Sequence, residues 1–197
     1  MASHPIYRKY IYTIILTVGM LPGFDTFASV QQPPDQNLRK LLIKAVNNSD
    51  SFEDRYDAEV WLTDMSQRLA PRIKDAAERL DLLRMVHYEA TRAKLPPELV
   101  LAVIEVESDF DRWAISASGA EGLMQVMPFW LKEIGHPNDN LHQPETNLRL
   151  GCTILRYYID LENGDLTRGL ARYNGSQGQA AYSYRVIDAL RFHWYRQ

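Results

Sequence analysis

A single cysteine, Cys152, stands in 197 residues, so the chain can close no internal disulfide. Cys152 lies in the apolar run Leu150–Leu155 and is expected to be a small core residue, since no histidine stands in a motif that would make it a nucleophile. His136 and His142 belong to no H-x-x-x-H or C-x-x-C spacing, so no metal site is expected, and no motif calls for a cofactor. Positive charge is not in excess: 22 Lys and Arg face 25 Asp and Glu, for a net charge of −3. Nucleic acid, which needs a basic surface, is therefore not an expected partner. Internal repeats, low-complexity tracts and long linkers are missing, which points to one domain. No segment alternates convincingly as a strand. The long apolar run near the start, Ile11–Leu21, is too short and too soon broken by Pro22–Gly23 to span a bilayer comfortably.

That run has the layout of an export signal. Arg8 and Lys9 precede it, and Thr26–Phe27–Ala28 offers small residues for cleavage, so residues 1–28 are expected to be removed in a periplasmic protein. The alternative is an uncleaved N-terminal anchor in the membrane. No cysteine near this site could carry a lipid. Cleavage would take the net charge from −3 to −4, because Arg8, Lys9 and Asp25 leave together.

With 46% hydrophobic residues the remainder can bury a sizeable core. Helical spacing recurs along it: Leu38–Val46, Ala58–Leu69 and Ala76–Lys94, with 47–51 (NNSDS) as the first turn. Residues 29–94 thus read as a helical preface that packs against the C-terminal half of the chain. Further on, Phe129–Ile134 predicts a short helix ending at Gly135. Thr146 is placed to cap a helix through Tyr158, Leu166–Tyr173 forms another, and Tyr182–Tyr195 an aromatic-rich last helix whose rings are expected in the core. The class is all-α, with room for a short hairpin near Ser116.

Leu95 to Pro128 is the informative stretch. Pro96 and Pro97 open a helix where a missing N–H costs nothing, and Glu98 suits its positive end. Leu99 to Ile104 are apolar all round, as in a helix buried inside a domain. Into that helix come Glu105 and Glu107, about 200° apart around the axis, so only one can face a given cleft. A carboxyl in an apolar wall either finds a partner or holds its proton to raised pH, as a general acid must. Gly119 and Gly122 then permit a tight turn. On residue types alone, a helix, a turn and a helix with a salt-bridged surface glutamate is the simpler account.

The order of motifs weighs against that simpler account. Glu107–Ser108, Phe110, Ala114–Ile115–Ser116 and Gly119–Ala120–Glu121–Gly122–Leu123–Met124–Gln125–Val126–Met127–Pro128 are followed by Asn147–Leu148–Arg149–Leu150–Gly151 and by Ala171–Arg172–Tyr173–Asn174. In this order the pattern resembles the soluble lytic transglycosylases of the Slt type, with a goose-lysozyme-like fold. The resemblance covers roughly half the chain and implies a catalytic domain at 95–197. It also implies a substrate, the glycan strands of peptidoglycan, with partners in an envelope machine left open. Glu107 would protonate the oxygen joining MurNAc to GlcNAc, then act as base on the C6 hydroxyl, giving 1,6-anhydro-MurNAc with no water consumed. By motif position, Ser116 would bond Glu107 or the N-acetyl group, and Gln125 and Met127 would line the groove floor. Tyr173 would place its hydroxyl near the carboxylate, and Asn174 would brace that loop. Outside the family, Ser116 and Asn174 are also good turn caps, and Met124 and Met127 good core fillers. Two alternatives share the scaffold: a goose-type lysozyme-like hydrolase, with Asp109 or Asp111 holding water, and a non-catalytic peptidoglycan-binding factor.

Overall fold

Asp54 begins the first helix by accepting hydrogen bonds from the backbone N–H groups of Tyr56 and Asp57, and α1 runs Arg55–Leu69. The computed structural model describes residues 51–52 and 54–195. The expected signal at 1–28 and the helix at Leu38–Val46 lie outside the described residues. Asp75 caps α2, Ala76–Arg92, through the N–H of Glu78. α3 is Pro97–Ser108, opened by proline and ended by Asp109 in the left-handed conformation. Beyond it come α4, Phe129–Ile134; α5, Pro144–Leu161; α6, Leu166–Tyr173; and α7, Ala181–Ala189, which passes into a π-helical turn, Leu190–Trp194.

Two expected boundaries are corrected. The fifth helix starts at Pro144, not at Thr146: the proline supplies the preset φ of a first turn, and Thr146 is buried inside the helix. The last helix does not run unbroken to Tyr195, because its final turn loosens to π geometry, with the N–H of Tyr195 bonded to the carbonyl of Leu190. Nor are all its aromatics core. Tyr182 and Trp194 are buried, whereas Tyr184, Phe192 and Tyr195 are more than half exposed.

α3 is the axis. Its Val100–Ile104 are fully buried, because α2, α7 and the π-helical turn each pack against it. The preface helices share this core, with Leu62, Leu69, Leu83 and Val86 at zero exposure. Among the described residues no strand forms. Two isolated antiparallel bridges, Ile115 with Glu121 and Glu121 with Val126, are what stands of the hairpin expected near Ser116. Cys152 is buried, and burial pushes its thiol well above the usual range, which fits a packing role.

Candidate active site

Glu105 and Glu107 leave α3 in different directions, and their surroundings differ accordingly. Glu105 is held by cations and an indole. Its Oε1 accepts from Arg72 Nη2 at 2.6 Å and lies 2.7 Å from His193 Nδ1, and its Oε2 accepts from Trp194 Nε1 at 2.6 Å. The π-helical turn is what brings His193 and Trp194 to one carboxylate. Arg72 also bridges to Asp109 at 2.6 Å, closing the end of α3 onto the α1–α2 corner. This is the structural glutamate.

Glu107 has a different setting. Its Oε1 accepts from the Tyr182 hydroxyl at 2.6 Å. Burial lifts its carboxyl above the ordinary glutamate range, and three groups pull the other way: the Tyr182 hydrogen bond, the charge of Arg185 and a hydrogen bond from Asn174. Burial prevails, so the proton is held to higher pH than on a solvated glutamate. Among the described residues, the groups that shift it are Tyr182, Arg185 and Asn174, none of them a carboxylate. Asp109 is bound to Arg72, and Asp111 accepts from the backbone N–H of Trp113 at 2.9 Å.

The glycine-bearing loop beside Glu107 is fixed by side chains from α5 and α6. Asn147, fully buried, accepts from the Met124 N–H through Oδ1 and donates through Nδ2 to the carbonyls of Glu121 and Leu141, each at 2.8 Å. Tyr173 donates its hydroxyl to the Met124 carbonyl at 2.7 Å. Both backbone polar groups of Met124 are thus satisfied by side chains. Gly122 has φ of +77°, and a Cβ there would stand 2.4 Å from Asn147 Nδ2 and from the Leu141 carbonyl. At Gly151 a Cβ would stand 2.5 Å from Met124 Sδ. The N-x-x-x-G spacing therefore places the amide that grips the loop one turn before the gap that admits Met124. Ser108 ties the same loop to α3 by donating to the Leu123 carbonyl at 2.8 Å. Asp109, Phe110 and Gln125, all non-glycine, hold left-handed backbone at φ of 48°, 68° and 47°. Strain of this kind persists only where the surroundings impose it.

The structure gives each residue expected at the site a definite place. Tyr173 feels the charge of Glu107 and its hydroxyl proton is held tightly by burial, but its hydrogen bond goes to Met124. Asn174 caps α6 and reaches Glu107. Ser116 spends its hydroxyl within its own turn, on Ser118 Oγ and the Ala120 N–H, both at 3.0 Å. Gln125 donates to the carbonyls of Ala114 and Gly122 at 3.2 and 3.0 Å. Met124 is a core residue, while Met127 is half-buried. Tyr182 and Arg185 are additions that the motifs do not contain. The one signal for Tyr182 is its place on the inward face with Val186, where a polar tip on a buried ring requires a partner.

The profile of the Transglycosylase SLT domain matches residues 84–185, and the chain belongs to that family. Among curated proteins, a transglycosylase of Enterobacteria phage PRD1 is 37% identical over 92 residues, covering 47% of this chain and 34% of the relative. The membrane-bound lytic murein transglycosylase C of Haemophilus ducreyi is 32% identical over 122 residues, covering 55% of this chain and 33% of the relative. The chain spans about a third of the length of these relatives. A solved lytic transglycosylase Slt of Pseudomonas aeruginosa aligns with 78% of this chain and 34% of its own, at 22% identity and a TM-score of 0.45.

Proposed function

We propose that this protein is a peptidoglycan lytic transglycosylase, cleaving the β-1,4 bond between MurNAc and GlcNAc and closing the MurNAc C6 hydroxyl onto C1. The observation that carries this is the setting of Glu107: an apolar helix, a hydroxyl 2.6 Å from its carboxylate, and a raised proton affinity. A carboxyl that holds its proton to higher pH than a solvated glutamate suits the donor that a poor glycosidic leaving group requires. Once the proton is given, the carboxylate is stabilised by Tyr182, Asn174 and Arg185 and can take the proton of the C6 hydroxyl. The nucleophile is then on the reacting sugar itself, which exploits proximity rather than a bound water. Atoms balance, because the proton lost from the carboxyl returns to it and no water enters.

A hydrolase of goose-lysozyme type would use a second carboxylate to hold water. Asp109 is turned to Arg72 and Asp111 to its own turn, which favours the water-free reaction. In this assignment Tyr173 and Asn174 order the wall beside the carboxylate. Gln125, Met127 and Ser116 would lie along the glycan. The catalytic unit is assigned to 95–197, with 29–94 as its helical support, and export to the periplasm through residues 1–28 completes the proposal. The family relation and the named relatives support a cell-wall substrate.

Mass spectrometry of muropeptides released from purified peptidoglycan tests it. Wild type should yield anhydro-MurNAc ends, and Glu107→Gln none. Reducing ends heavier by one water would make the protein a hydrolase. No products from either folded protein would leave a binding factor.

A further inference from the structure

Away from Glu107, the corner where Ser51–Phe52 meets α1, α2 and the start of α3 holds a pocket of about 250 Å3. Three rings form one side of it. Phe52 stacks on His87 with centroids 3.5 Å apart and planes 12° apart, and Trp61 meets His87 edge-on at 5.0 Å. His87 Nδ1 lies 2.8 Å from Ser51 Oγ. Burial lowers the His87 pKa to about 4, so the imidazole adds no positive charge near neutrality. Three carboxylates, Asp57, Asp64 and Glu98, line the same pocket, and among the described residues no Lys or Arg does. Asp64 is paired with Arg68 at 2.9 Å. Glu98 gives one oxygen to Trp61 Nε1 at 2.7 Å, and its other oxygen, like the Asp57 carboxylate, has no partner among the described residues.

Aromatic rings and carboxylates with no cation among the described lining residues make a favourable setting for one. The aromatic quadrupole attracts positive charge, and the aliphatic wall of Val60 and Met65 suits methylenes leading to it. We infer that this pocket binds the primary ammonium group of a lysine-type side chain presented by a peptide, with the ammonium between Asp57 and Glu98 and the methylenes along Trp61. A ligand whose amine shares its carbon with a carboxylate is disfavoured, because all three lining charges would repel it. Phe52, Asp57, Trp61 and Asp64 precede residue 84, so most of the pocket lies outside the matched family domain. Binding there is independent of the proposed reaction at Glu107.

The test uses the full chain and the indole N–H resonance of Trp61, assigned by its loss in Trp61→Phe. Nα-acetyl-lysine N-methylamide is titrated beside its norleucine counterpart and beside diaminopimelate. Only the lysine amide should shift the resonance saturably. Its affinity should fall at least about fivefold in Asp57→Asn and in Glu98→Gln, which retains an oxygen for Trp61. Circular dichroism checks that both variants are folded. A missing shift, an equal response to norleucine, or undiminished binding in the Asp57→Asn/Glu98→Gln double variant would overturn the ammonium site. Equal binding of diaminopimelate would overturn its assignment to lysine.

Discussion

Replacing Asn147 by alanine should unfasten the loop that carries Met124 and Gln125. Asn147 is fully buried and makes three hydrogen bonds at 2.8 Å, to Met124 N–H and to the carbonyls of Glu121 and Leu141. The Glu121 carbonyl retains the Val126 N–H at 3.0 Å, so alanine orphans two backbone groups rather than three. At roughly 1–3 kcal/mol for each buried group left without a partner, the loss is about 4 kcal/mol, against ordinary domain stabilities of about 5–15 kcal/mol. For a domain of this size that is a fall in Tm of roughly 12 °C. Asn147→Asp keeps an acceptor for Met124 but turns a carboxylate toward two carbonyl oxygens. Its defect should match that of alanine near neutral pH and lessen as the pH falls and the new carboxyl gains a proton. Urea unfolding followed by circular dichroism, across pH for the aspartate variant, measures both. A loss below about 1 kcal/mol for alanine would show that the loop does not depend on this amide.

Three further outcomes are expected. Gly151→Ala should destabilise by about 1–3 kcal/mol, because the new methyl must displace Met124 from 2.5 Å, and a smaller residue at 124 in the same chain should recover part of the loss in thermal melts. Tyr182→Phe should lower turnover and move the alkaline limb of the activity profile to higher pH. The lost hydroxyl stabilises the charged form of Glu107, and a limb moving to lower pH would contradict its placement. Glu107→Gln should melt above wild type at neutral pH even as activity vanishes. A carboxyl whose proton affinity rises on folding contributes stability that is complete below the unfolded-state pKa and is lost as pH climbs through the folded-state value. The gain should therefore shrink on acidification, and a constant offset would place its origin elsewhere.

The parts of the site that could be read from the chain are those where a residue type has only one use. Gly122 must adopt positive φ against Asn147, and Gly151 must leave room for Met124, so both spacings are visible in sequence. The buried helix Pro97–Ser108 is equally visible, since six consecutive apolar residues after two prolines admit little else. Less legible is anything decided by how helices meet. Tyr182 stands 75 residues from Glu107, and only the packing of α7 on α3 makes its hydroxyl a hydrogen-bond donor to that carboxylate rather than its ring mere filler. The start of α5 falls at Pro144 because an Asn147 turned inward already fixes the frame, leaving Thr146 inside. Tyr184 lies on the face of α7 opposite the buried Tyr182 and Val186, and Phe192 faces outward from a last turn loosened to π geometry, a change with no marker in the sequence.

That loosened turn bears on why Glu105 is paired on both oxygens and Glu107 is not. Both sit near the end of one apolar helix, and periodicity assigns them opposite faces without saying which face is which. The π-helical turn aligns His193 Nδ1 and Trp194 Nε1 on one carboxylate, and Arg72 completes the set, so Glu105 has a partner on each oxygen. Those partners commit the Glu105 carboxylate to holding the end of α3 in place. Glu107 receives one hydroxyl from Tyr182 and a hydrogen bond from the exposed Asn174, with Arg185 acting through its charge rather than through an ion pair. Such partners steady the carboxylate after it has given up a proton without claiming it beforehand. Burial keeps the proton in place, and the hydrogen bonds limit the cost of losing it, which is the balance an acid that must also serve as the base requires.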